Sequence, residues 1–187
     1  MELPLRTAVV LALMFAIFAA SVSSAEDSVE PERRVNLYCF GNFGLYDPGG
    51  NIGELHTGWN LSGGVGLRVH PNVAVESTLA FIRSNGASGD LWAIPLTVGA
   101  RLIYPTPVFE PYAGIGSGVS YVDLNKPGEN DTSFTLVDYL SLGADAKLNR
   151  NTALNAELKY QFMNSGLTGS NVNASGAIFT LGVRRTF

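Results

Sequence analysis

Two histidines, His56 and His70, are the chain's only side chains that change charge near neutral pH without perturbation. A hydrolase would need one of them within hydrogen-bond reach of a nucleophile and oriented by a carboxylate. His56 stands near Glu54, and its nearest prospects for a partner in a later segment are Ser88 and Asp90, with no motif joining them. His70 precedes Pro71 and reads as a solvated turn residue. Cys39 is single, which leaves no intrachain disulfide, and no His/Cys cluster has metal-ligand spacing, so no metal or cofactor is expected. The stretch YAGIGSGVSY, Tyr112 to Tyr121, carries Gly114, Gly116 and Gly118 at every second position. A phosphate-cradling glycine loop must open a helix, whereas Ala113, Ile115, Val119 and Tyr121 alternate with these glycines as a strand does. The remaining chemistry is electrostatic: Arg68, Glu76, Arg101, Asp145, Lys147, Glu157, Lys159 and Arg184 each sit inside an otherwise apolar, alternating segment.

Those segments are strands on their period. In 58–69 one face reads Trp59, Leu61, Gly63, Val65, Leu67, Val69 and the other Asn60, Ser62, Gly64, Gly66, Arg68. The same alternation runs through 73–83, where Glu76 opposes Val75, and 91–104, where Arg101 opposes Ala100 and Leu102. It continues through 139–148, with Asp145 and Lys147 opposite Leu142 and Ala144. In 152–162 Glu157 and Lys159 oppose Leu158 and Tyr160, and in 176–187 Arg184 opposes Val183. Only 35–46 is ambiguous, with aromatics on both faces. Apolar residues make up 46% of the chain and charged residues 15%, below the quarter expected of a soluble domain. Strands that send one face to lipid and one to a polar interior make a transmembrane β-barrel. A soluble lipocalin-like barrel would instead bury its apolar face and expose its charges.

Connection lengths agree. Asp47–Thr57, Ser84–Asp90, Asp123–Ser133 and Asn164–Ala174 read as longer external loops, alternating with the short turns His70–Asn72, Pro105–Phe109 and Asn149–Asn151. Eight antiparallel strands place both termini on the short-turn, periplasmic side. Trp59, Phe81, Trp92, Tyr121 and Phe162 fall near the loop ends and Tyr104 near the turn ends, as interfacial girdles do. Pro95, inside the fourth strand, lacks a ladder donor and points to a bulge or an earlier loop end.

The N-terminus adds export. Arg6 precedes about a dozen apolar residues and then SVSSA, a run short of the roughly 20 a spanning helix needs and typical of a cleaved leader. The expected organisation is a signal peptide at 1–25, a solvated periplasmic tail at 26–34, and a barrel at 35–187.

At this point the chain resembles the eight-stranded outer-membrane barrels of Gram-negative bacteria, including the OmpA, OmpX and OmpW types. The resemblance rests on FEPYAGIGSGVSY, which looks like the family's fifth strand, on the hairpin LSLGADAKLNRNTALNAELKYQF, and on the terminal aromatic Phe187. It implies a Gram-negative cell-envelope location, lipopolysaccharide as a neighbour, and Phe187 as the signal read by the barrel-assembly machinery. Arg185 departs from the pattern by occupying an outward place that the family usually fills with an apolar or aromatic residue.

Inside a barrel of this size side chains fill the interior. The eight charges, with Glu110 near the rim, are therefore expected to pair as a plug, because unpaired charge there is costly. The functional expectation is a non-enzymatic, monomeric envelope protein with a structural role and with loops open to ligands or surfaces. The alternative is a porin-like channel for ions or small hydrophobic solutes, and a remoter one is a lipid A-modifying enzyme using His56. A net charge of −4 argues against nucleic acid.

Overall fold

The computed structural model describes residues 36–49, 56–86, 89–126, 129–164 and 174–187; the expected signal peptide and N-terminal tail lie outside the described residues. Eight strands follow one another: β1 (Asn36–Pro48), β2 (Gly58–His70), β3 (Val73–Gly86), β4 (Gly89–Ile103), β5 (Phe109–Lys126), β6 (Glu129–Lys147), β7 (Thr152–Asn164) and β8 (Gly176–Thr186). Each is antiparallel to the next, and β8 closes on β1 through pairs such as Arg185 with Cys39. Closure satisfies every strand edge within the protein, which hydrocarbon, having no water to offer, requires.

The alternation resolves into two faces. Leu61, Val98, Leu102, Ile115, Leu140, Leu142, Leu158 and Leu181 are exposed on the outside, while Glu76, Thr78, Thr97, Arg101, Asp145, Asn155, Glu157 and Thr180 are buried within. The ambiguous β1 sends Tyr38, Phe40, Asn42 and Tyr46 inward and Phe43 and Leu45 outward.

The inward glycines explain where those aromatics go. Gly66 is the ladder partner of Tyr38 and Gly116 of Tyr139, and a Cβ on either would collide with its partner's ring. Each tyrosine thus lies across the neighbouring strand's glycine, a pairing that fixes ring position and register together. Gly116→Val should lower stability by about 1–3 kcal/mol, the usual cost of forcing extra methyls into a filled site. In a double-mutant cycle Tyr139→Ala should recover part of that loss; strictly additive effects would remove the pairing from the account.

Three expectations need correction. Ser84–Asp90 and Asp123–Ser133 are mostly strand rather than loop, with Asn85 paired to Asp90 and Asn125 to Asn130. Polar residues hid this, because a hairpin that rises clear of lipid needs no apolar outer face. Pro95 causes no bulge: the β3–β4 ladder lapses beside it and resumes in the same register, from Leu79–Leu96 to Ile82–Ala93. The register shift falls instead between Arg68 and His70, next to the turn. Finally, Ile94 is on the outward row but buried, opposite Tyr121 in the ladder.

Candidate functional site

The lumen has two tiers. At the short-turn end Glu76 on β3 is buried, and one of its carboxylate oxygens, Oε1, accepts from Tyr38 Oη, Arg101 Nη1 and Arg184 Nη1, each at 2.7 Å. Arg101 is 2% exposed, and its guanidinium carbon sits 3.2 Å from the centroid of the Tyr112 ring, so the ring face shields the charge that Glu76 neutralises. Arg184 Nε also lies 3.1 Å from Asp145 Oδ2. Asn155 Nδ2 donates to Asp145 Oδ1 at 2.6 Å and to Tyr112 Oη at 2.9 Å. Tyr112 Oη in turn donates to Glu157 Oε2 at 3.0 Å, and Lys159 Nζ pairs with Glu157 Oε1 at 3.0 Å.

A second cluster lies nearer the turns. Arg68 grips Glu110 with two nitrogens at 3.1 Å each, and Lys147 reaches the same carboxylate at 3.0 Å. Between them the two clusters draw on all eight strands, so the interior is cross-braced by charge-assisted hydrogen bonds, the stronger kind.

Toward the long-loop end the inward face changes character. Tyr46, Ile82, Leu91, Ala93, Val122, Leu124, Val137, Met163, Ala174 and Ile178 form one buried apolar cluster. Between the tiers lies a void of only about 10 Å³, bordered by Thr78, Thr97, Gln161 and Thr180. That is about the minimum for a single water.

The structure therefore brings Glu76, Arg101, Asp145, Arg184, Glu157 and Lys159 into one network and places Arg68 and Lys147 in the adjoining cluster with Glu110. Sequence reasoning did not single out Tyr38, Tyr112 and Asn155 as members. Their signal was parity, since Tyr112 shares the inward row of Gly114 and Asn155 that of Glu157.

The outer aromatics form a belt. Ring centroids are 5.3 Å apart for Trp59–Phe81, 6.4 Å for Phe81–Trp92, 5.2 Å for Trp92–Tyr121 and 5.3 Å for Tyr121–Phe134. Tyr160 and Phe162 add a pair on β7 at 4.9 Å. Tyr104, Phe109 and Phe187 are exposed at the opposite end. Phe134 was not among the expected girdle residues.

One charge on the outward face was not anticipated from the sequence. Asp138 is exposed on the row of Leu136 and Leu140, paired with Ser117 and Phe162. Its neighbour Phe162 belongs to the aromatic pair on β7, and toward the interface a carboxylate costs less than at the midplane.

The remote hydrolytic arrangement is not assembled by what is described. The His56 backbone joins Asn85 and Ser84, its side chain is exposed, and Ser88 and Glu54 lie outside the described residues. Among the described residues no group of three or more His, Cys, Asp or Glu side chains is placed to hold a metal.

Comparison with known proteins follows from this geometry. The family described as outer membrane protein beta-barrel domain matches residues 9–187. Neisserial surface protein A is similar in structure with a TM-score of 0.68 at 17% identity, over 81% of this chain and 97% of that one. The N-terminal β-barrel domain of Pseudomonas aeruginosa OprF gives 0.55 at 16% identity, over 81% and 97%. The outer membrane enzyme PagL gives 0.51 at 11% identity, over 78% and 98%. No curated protein matches the sequence. At such identities the solved structures share the fold alone, and they include an enzyme. The closed eight-stranded barrel, its apolar outer wall and a family match over nearly the whole length lead to one statement: the chain belongs to the outer membrane protein β-barrel domain family.

Proposed function

We propose that this is a non-enzymatic, plugged barrel whose role is envelope integrity, with its long-loop end available for contact with ligands or surfaces. The observation that carries the reading is the two-tier lumen: among the described residues a paired charge network lies under a buried apolar cluster, and side chains of both tiers fill the interior. A channel would need both tiers to open, breaking buried pairs that cost about 3–5 kcal/mol when one partner is lost. In this reading both termini face the periplasm, the aromatic belt sits at the outer headgroup level among lipopolysaccharide, and the barrel acts as a monomer. Phe187, exposed beyond β8, is the residue the assembly machinery reads.

Loss of the protein should sensitise cells to detergents and bulky antibiotics that an intact outer membrane excludes. Wild type and His56→Ala should restore resistance equally and leave the mass of lipid A unchanged. A lipid A mass shift on expression that disappears with His56→Ala would replace this reading with an enzymatic one.

A further inference from the structure

We propose that the short-turn mouth of the barrel is a binding site for a compact multivalent anion, of the phosphate or oligocarboxylate class. The mouth holds a cavity of about 190 Å³ whose charged lining is Arg68, Lys147, Arg150, Arg184, Glu110 and Asp145. Its lining includes Tyr38, Asp145 and Arg184 of the charge network, so the cavity abuts the paired interior and suits holding a ligand rather than passing one.

The charge balance of the mouth favours anions. Counting the network that meets the cavity, Arg68, Arg101, Lys147, Arg150 and Arg184 stand against Glu76, Glu110 and Asp145, five cations to three carboxylates, a surplus of two. The carboxylates are already shared. Glu76 serves two guanidiniums, Glu110 serves Arg68 and Lys147, and Asp145 takes both Arg184 and Asn155. Arg150, exposed on the turn between β6 and β7, makes no ion pair among the described residues.

The site is also partly prebuilt. Arg184 lines the cavity at 9% exposure, and its Nε, although within ion-pair distance of Asp145, makes no hydrogen bond among the described residues. Lys147 is held by Glu110 and by the Thr106 carbonyl, so it is ordered before any ligand arrives. A concave, protein-walled site with surplus positive charge concentrates counter-ions. Two uncompensated charges favour a dianion over chloride, and a guanidinium such as Arg150 suits the fork of a phosphate or carboxylate.

The test is calorimetric titration of the refolded full chain in lipid nanodiscs with inorganic phosphate and, separately, with citrate, at fixed ionic strength set by chloride. We expect saturable binding of one equivalent, weakened at least tenfold by Arg150→Gln combined with Lys147→Gln. Arg83→Gln, outward at the opposite end of β3, should leave it unchanged. Heat-modified gel mobility verifies folding of each variant. Binding by phosphate alone or citrate alone supports the site and assigns its ligand class. No saturable binding by either anion, or equal binding by the Arg150/Lys147 variant, overturns it.

Discussion

Glu76→Ala should lower the unfolding free energy of the barrel by about 3–5 kcal/mol, the cost of stranding buried charge. The carboxylate is the single acceptor for Arg101, Arg184 and the Tyr38 hydroxyl at that point of the lumen. Without it two guanidiniums that are nearly inaccessible to solvent face each other with Asp145 and the more distant Glu157 left to offset them. Glu76→Gln keeps the shape and one acceptor but not the charge, so it should fall between wild type and alanine. Lys159→Ala should cost less, because that ammonium lies at one edge of the network, where among the described residues it makes one ion pair, to Glu157, and sits over the Tyr139 ring. Urea unfolding of the refolded barrel in lipid vesicles, followed by tryptophan fluorescence, gives the comparison. A loss below about 1 kcal/mol for Glu76→Ala, the range of exposed ion pairs, would mean that the network is not what braces the interior.

The second large effect concerns the outer wall. Leu142→Arg should destabilise the barrel by about 2–4 kcal/mol in a bilayer, the depth-dependent cost of a cation at the midplane, whereas Leu148→Arg should cost about 0–1 kcal/mol. Leu142 is exposed midway between Phe134 at the aromatic belt and Leu148 just past the end of β6, while its neighbour Ser141 is buried inside. The difference between the two variants measures depth rather than mere loss of leucine. Equal costs at both positions would show that this face does not meet hydrocarbon.

The parts of this molecule that sequence revealed are those governed by the strand period. Alternation assigned Arg68, Glu76, Arg101, Asp145 and Arg184 to one side of the wall, and the barrel's narrow interior then left them little choice but to meet. Three things were hidden. The apolar upper tier was missed because Ile82, Leu91, Val122 and Val137 belong to stretches where both faces are apolar or the outer face has turned polar above the lipid. The aromatic partners of the inward glycines were hidden too, since Tyr139 and Gly116 meet as direct ladder neighbours. Which residues share a height depends on the stagger of the closed sheet, and a single sequence does not carry it. Asp138 escaped notice for a related reason: a charge on the outward row is tolerated only near the interface, and its height becomes visible once Phe162 is seen beside it.

The central claim is that the lumen is closed, and planar-bilayer conductance of the refolded barrel addresses it most directly. With folding verified by gel mobility, the wild-type protein should insert and stay silent. Reproducible current steps that change size with Arg101→Ala or Glu76→Ala would contradict the account and make the lumen a pore.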